Sequence, residues 1–338
     1  MADLTVLDIG HGNSAVLIDE RGTVIIDAGV GDTLLEFLEY RGIVEIDAVL
    51  ISHADADHVA GVLTLVTQPH VAVRTVFLNS EALRQTALWT DFRVALQDAR
   101  TRHATRVHVE LTTESTAQLD RGGLLLEVLA PTPEIAASGA GGHDLSGRLL
   151  TANTMSAVIR IIANGTPEVL LPGDLDGIGL ENLLAEHPEP RARVLVFPHH
   201  GGRPGSRVDP FEFAVRLCRA VQPEVVMFSI GRGKHGTPLP EIVRGVYAGA
   251  PDAHIACTQL SERCAGRLPS LPPSHLGARP ARGRARNACC AGTMEVTLGG
   301  TMPAYAPRLN VHLTFIRQAA PTALCMGSVT EVADDKGL

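Results

Sequence analysis

Short apolar runs separated by glycine-bearing turns dominate the first third of the chain. Residues 4–9, 15–19 and 23–27 read as three consecutive strands, joined by the turns Gly10-His11-Gly12-Asn13 and Glu20-Arg21-Gly22. Residues 32–41 change to a helical period, with Leu34, Leu35 and Leu38 on one face and Gly42 at the end. Strands are expected at 47–52 and 71–78, with a helical pattern over 80–102. Further strands are expected at 107–111 and 123–130, ahead of a Gly- and Ala-rich loop over 131–147.

The pattern then restarts. Residues 156–163 and 168–171 pair across Asn164-Gly165, followed by a helix at 175–187 and a strand at 193–197. A helix at 212–221 and a strand at 224–230 complete this half. Each half opens with strands and ends in strand–helix alternation. Two such halves packed face to face make an α/β four-layer αββα sandwich. The pattern weakens over 261–291, where Arg263, Arg267, Arg279, Arg282, Arg284 and Arg286 fall among Pro, Gly and Ser. Apolar runs return at 294–298 and 309–316 and are expected to close the chain back onto a sheet. The expected organisation is one domain over 1–318, with a Cys/Arg-rich insert at about 257–291 and a loosely ordered tail over 319–338.

Composition narrows the class. Of 338 residues, 45% are hydrophobic and only 4% aromatic, so a sizeable core must be built from Val, Leu, Ile and Ala. The net charge of -8 argues against coating nucleic acid with the whole surface. A nucleic acid substrate stays open, because bound metal supplies local positive charge. No apolar run is long enough for a membrane span, and the start lacks a signal peptide's pattern, so a cytoplasmic protein is expected. In that compartment six cysteines read as thiols or metal ligands rather than a disulfide frame.

The chemistry concentrates in Ser52-His53-Ala54-Asp55-Ala56-Asp57-His58, which follows an apolar run. Carboxylates packed this closely repel, and one must take up a proton unless a cation joins them. A dication removes that cost and dominates the site. Asp57 can also cap a helix starting near Val59, but a cap explains one carboxylate, not two carboxylates and two histidines. Matching donors follow further strands: Asp174 in Leu171-Pro172-Gly173-Asp174, then His199 and His200 before Gly201-Gly202. Neighbouring residues of a strand point opposite ways, so one of that pair is expected to reach the metal. His235, with Arg232 and Lys234, is a candidate for substrate contact. Cys257, Cys264, Cys289 and Cys290 bracket the Arg-rich segment and can be read as a structural zinc site or as free thiols. Cys218 fits a helix core.

Together, His53-Ala54-Asp55-Ala56-Asp57-His58, Gly173-Asp174 and His199-His200-Gly201-Gly202 resemble the metallo-β-lactamase superfamily. The likeness is closest to the hydrolase domain of ComEC-type competence proteins, which carries Asp where Asp55 stands. Asp8-Ile9-Gly10-His11-Gly12-Asn13 resembles that branch's opening, with His11 and Asn13 departing from it. Ile26-Asp27-Ala28-Gly29, Asn153-Thr154-Met155-Ser156 and His235-Gly236-Thr237-Pro238 also resemble its segments, over residues 4–255 in all. The resemblance implies the αββα fold and metal ligands at His53, Asp55, Asp57, His58, Asp174 and one or both of His199 and His200. It also implies a further histidine before Gly173, where this chain offers Asn153 and His143; that departure bears on the second metal.

Two divalent ions, Zn²⁺ or Mn²⁺, would activate a water for hydrolysis, with Asp57 orienting it and His200 and His235 as further catalytic candidates. The expected activity is phosphodiester hydrolysis, on a nucleic acid or nucleotide. Hydrolysis of a small ester, thioester or lactam is the enzymatic rival, and a metal-binding scaffold or sensor the non-catalytic one. His11, Asn13, Asn153, Arg232 and Lys234 are the expected outer contacts.

Overall fold

The computed structural model describes residues 2–81, 84–270, 274–300 and 303–327. The chain begins with β1 (Ala2–Val6), β2 (Ser14–Asp19), β3 (Gly22–Ala28), β4 (Glu45–Ile51), β5 (Ala72–Leu78) and β6 (Arg106–His108). A second sheet takes β7 (Leu124–Ala130), β8 (Val158–Ala163), β9 (Thr166–Leu171), β10 (Val194–Val196), β11 (Val225–Phe228) and β12 (His254–Cys257). The chain then returns to the first sheet with β13 (Met294–Leu298) and β14 (Ala304–Ala306). The strand orders are β14-β13-β1-β2-β3-β4-β5-β6 and β12-β11-β10-β9-β8-β7. In each sheet antiparallel hairpins lead into parallel strands, from β3 onward in the first and β9 onward in the second.

The helices are α1 (Thr33–Arg41), α2 (Ala56–Thr67), α3 (Ala87–His103), α4 (Pro133–Ser138), α5 (Gly177–Glu186), α6 (Pro210–Val221), α7 (Pro240–Gly249) and α8 (Leu309–Ala319). Three apolar layers separate the sheets and helices. Alternate residues of one strand enter different layers: Val24 and Ile26 face the other sheet, while Ile25 and Ala28 face α1 and α2. In β10, Val194 and Val196 meet the first sheet and Leu195 meets the outer helices. Burial on both faces is why these strands read as continuous apolar runs. The architecture is the αββα sandwich expected from the sequence. α2 crosses β3 closely at Gly61, where a Cβ would stand 2.4 Å from the Gly29 carbonyl oxygen.

Several elements differ from their sequence reading. The helix expected from residue 80 begins at Ala87, because the Thr86 hydroxyl accepts the Trp89 amide and fixes the start. The run at 309–316 is α8, not a sheet strand. His312, Phe315 and Ile316 are its buried positions, a helical spacing. α7 and β12 went unread, although Pro240 opens that helix. Residues 319–327 hold a 3-10 turn, bury Ala320 and Ala323, and receive the Tyr247 hydroxyl at the Cys325 carbonyl, 2.8 Å away. The rest of the tail, 328–338, lies outside the described residues. No described helix is long and apolar enough to cross a membrane.

The described part of the Arg-rich segment has little regular structure but is tied down by a buried carboxylate. Asp8 accepts bonds from the Gly283 amide at 2.9 Å, the Gln259 side chain at 2.8 Å, the Gly10 amide at 3.2 Å and the Cys289 thiol at 3.4 Å. Asp8→Ala strands these donors. It is expected to cost roughly 3 kcal/mol in urea denaturation, whereas a loss under about 1 kcal/mol would mean other contacts hold the segment.

Candidate metal centre

β4 delivers Ser52 and His53 at its carboxyl end, and the next turn starts α2 directly. Asp55 is the residue before that helix, in extended conformation, so Asp57 and His58 both lie in the first turn. The helix thus begins at Ala56, earlier than a cap at Asp57 would give. Asp174 follows β9 through Pro172-Gly173. Gly173 takes φ +55 and approaches so closely that a Cβ would strike the Ser156 and Ser52 hydroxyls.

His199 and His200 leave β10 in a 3-10 turn, Pro198–Gly201, with φ 52° and 55°. The left-handed turn replaces strand alternation and brings both rings to Asp174. His199 Nδ1 is 3.6 Å from Asp174 Oδ2, and His200 Nε2 is 3.7 Å from Asp174 Oδ1. Asp27 and His235 also hold positive φ, at 56° and 52°. Such backbone costs of order 1 kcal/mol or more for each non-glycine residue and collects where function demands it.

One donor atom each from Asp57, His58, Asp174 and His200 lies within 4.8 Å of all the others. His58 Nε2 is 3.3 Å from Asp174 Oδ1, and His200 Nε2 is 3.3 Å from Asp57 Oδ2. The far sides of these rings are anchored. His58 Nδ1 lies 2.8 Å from Asp27 Oδ2, and His200 Nδ1 donates to the Ser229 carbonyl at 2.8 Å. Asp27 also accepts the Ser52 amide and hydroxyl, each at 2.7 Å. Such backing contacts fix the tautomer and aim the free lone pair inward. The Nε2 atoms of His53, His58, His199 and His200 are all buried without a hydrogen-bond partner. Orphaned nitrogens of this kind are costly unless something binds them.

The charges point the same way. Burial pushes the Asp57 and Asp174 carboxyls up, but the His58 and His200 imidazoles outweigh it and hold both well below the usual range. Burial opposes the charge on His58, but Asp27 and Asp174 raise it overall. Charged carboxylates, with imidazoles whose inward Nε2 gives up its proton when a cation takes its place, are the donor set of a borderline divalent cation. The residues fit that group.

The remaining sequence candidates divide. His11 joins the edge of the centre: its Nε2 is 3.5 Å from Asp57 Oδ2, and its ring lies 4.4 Å from His200 and 4.5 Å from His235. Burial and the nearby His200 lower its pKa to about 4. His235 and Lys234 are exposed. Asn13 acts through its backbone, its amide donating to the Asp57 carbonyl at 3.1 Å. Asn153 is half-buried, its carbonyl accepting the Ser156 amide, and His143 is exposed in a bridge with Leu149. Neither joins the four donors. Arg232 spends its guanidinium on the carbonyls of Leu260, Ala265 and Gly266, at 2.9, 2.8 and 3.1 Å. The four cysteines read either as a zinc site or as free thiols are not brought together as a set: Cys289 turns to Asp8, while Cys257, Cys264, Cys290 and the tail's Cys325 line one small apolar cavity. Cys218 is buried in the core beneath α6.

His53 and Asp55 are not among the four donors, although the His53 ring lies 4.1 Å from the His58 ring. His53 Nε2 is 3.5 Å from Asp55 Oδ2, while Asp55 Oδ1 receives Arg84 Nη2 at 2.6 Å. Sequence reasoning missed Arg84 and its partner Glu81, which follow the metal motif by more than twenty residues without a motif of their own. Asp27 lies in a family-like segment, and an Asp at a strand end before Ala28-Gly29 is the signal that marks its anchoring role.

The family model described as the metallo-beta-lactamase superfamily matches residues 7–208. The chain is 24% identical over 260 residues to ComE operon protein 3 of Bacillus subtilis (strain 168), covering 68% of this chain and 28% of that protein. It therefore spans little more than a quarter of that relative's length. Among solved structures, the chain is similar to the metallo-beta-lactamase fold protein YhfI from Bacillus subtilis: 12% identity, TM-score 0.46, 76% of this chain and 96% of that one. It is also similar to Igni18, a metallo hydrolase from Ignicoccus hospitalis KIN4/I: 15% identity, TM-score 0.40, 71% of this chain and 85% of that one. With the family model matching well over half its length, the chain belongs to the metallo-beta-lactamase superfamily.

Proposed function

We propose that this metal-dependent hydrolase is a phosphodiesterase acting on nucleic acid or a nucleotide. The coarse class rests on the family and the donor set. The finer reading rests on one observation, a cationic and hydrogen-bonding rim beside the four donors. His11 borders Asp57, and exposed His235 packs on His11. Exposed Lys234 precedes it in sequence. From the other side comes Arg282, whose side chain lies against Gly10 and Gly31. That placement brings the Arg-rich segment to the loop carrying His11, where it suits a phosphate anion better than a neutral lactam or thioester.

A divalent ion, Zn²⁺ or Mn²⁺, supplies Lewis-acid activation of a water and charge stabilisation when bound by Asp57, His58, Asp174 and His200. The protein does the rest. Asp57, the most exposed of the four, orients the attacking water. His11 and Arg282 bind the non-bridging phosphate oxygens. His235, free at the rim, donates the proton to the leaving oxygen. His200 serves as a ligand, because its Nδ1 is committed to Ser229.

The test is hydrolysis of a chromogenic phosphodiester and of single-stranded oligonucleotides by the Mn²⁺-loaded protein. Asp57→Ala is expected to lower kcat roughly 1,000-fold with the fold intact by circular dichroism. Cleavage of a lactam or thioester, with every phosphodiester left untouched, would overturn the assignment. Arg282→Ala is expected to raise KM for the oligonucleotide about tenfold at low salt while barely changing it for the small diester. An equal effect on both substrates would remove Arg282 from polymer binding. Asp27→Ala is expected to weaken Mn²⁺ binding about 10–100-fold by calorimetry, since it frees the His58 ring. Unchanged affinity would show that ring needs no anchor.

A further inference from the structure

We propose that this centre holds one divalent ion, and that the Arg84 guanidinium, as the fixed cationic partner of Asp55, keeps that carboxylate from joining a second one. The proposal rests on the metal reading above and deepens it. The ion sits among Asp57, His58, Asp174 and His200, whose donor atoms already converge.

The second half of the centre does not assemble. His53 Nε2 and Asp55 Oδ2 are 3.5 Å apart, but no further His, Cys, Asp or Glu among the described residues completes a comparable group with them. The histidines between the cluster and Asp174 are elsewhere. His70 and His143 are exposed, His103 lies beside Arg102, and His108 stacks on Phe77. A pair of donors without a third makes a weak site for an ion that prefers four or more.

Asp55 has a built set of partners of another kind. Arg84 Nη2 holds Asp55 Oδ1 at 2.6 Å, and Arg84 Nε bonds Glu81 Oε2. The other Glu81 oxygen accepts the amide of Ala54, the residue between His53 and Asp55, at 2.8 Å. Glu81 is 8% exposed, so the guanidinium is braced by a buried carboxylate rooted in the motif itself. A guanidinium cannot shed its proton to make room for a metal. It occupies one Asp55 oxygen, and its charge repels any dication approaching the other. One positive charge, permanently in place, is thus shared between Asp55 and Glu81.

The test uses the whole chain, stripped by chelator and titrated with Mn²⁺, which thiol groups bind poorly. Calorimetry of the native chain is expected to give one equivalent, with the six-line resonance of an isolated Mn²⁺. Two equivalents with an exchange-coupled spectrum would overturn the proposal while leaving the metal reading intact. No binding at all would sink the metal reading and this proposal with it. Arg84→Met frees Asp55 and is expected to admit a second equivalent, roughly tenfold weaker than the first. Arg84→Lys keeps the charge and is expected to stay at one. A Met variant that folds and still binds one ion would show that Arg84 is not what excludes the second.

Discussion

Asp27 is the anchor on which the centre depends. Its carboxylate accepts the Ser52 amide and hydroxyl and faces the His58 ring, so it joins the end of β3 to the end of β4 and to the first turn of α2. Those contacts fix where His58 Nε2 points, and His58 Nε2 meets Asp174 from the other sheet. The carboxylate is 2% exposed, which keeps its bonds strong and makes their loss expensive. Its backbone is left-handed, a cost the surrounding packing must offset.

The apolar layer between the sheets is what lets donors from both halves meet. Val24, Ile26 and Leu50 from the first sheet pack with Ile159, Val169 and Val196 from the second. This contact sets the carboxyl ends of β4, β9 and β10 side by side. Ligand sites in sheets with parallel strands lie beyond those carboxyl ends, because the following loops can vary without disturbing the core. Here the loops are short and rigid rather than variable. Gly173 bends against two serine hydroxyls, and two histidines take left-handed backbone in succession.

Much of this was legible in the sequence, for a physical reason in each case. Strands buried on both faces must be apolar throughout, so β3, β4, β9 and β10 announced themselves. Four metal-capable side chains in six positions have few other uses, so the centre's first half was legible too. What the sequence hid were contacts set by tertiary packing. Period-two reasoning sent His199 and His200 opposite ways, but Pro198 had already ended the strand and opened a turn. Arg84 reaches Asp55 across a gap of 29 residues, and nothing local marks it as a partner. The run at 309–316 was short enough to suit either period, and the buried spacing of His312, Phe315 and Ile316 settled it as helix.

The layout also separates attraction from chemistry. The four donors include Asp57 and Asp174, whose two negative charges a single dication cancels. Asp55 is matched by Arg84 nearby. Asp27 and Glu81 are buried beside these groups as well, so one dication and one guanidinium face five carboxylates, and the inner centre exerts no long-range pull on an anion. That pull must come from the exposed Lys234 and Arg282, on a protein whose net charge of -8 repels anions overall. Exposed charges are screened over roughly 10 Å at moderate salt, whereas buried donors are not. Salt thus acts on substrate capture and leaves the reacting geometry alone, a division that follows from keeping the arginines on the Asp8-tethered segment and the ligands on strand ends.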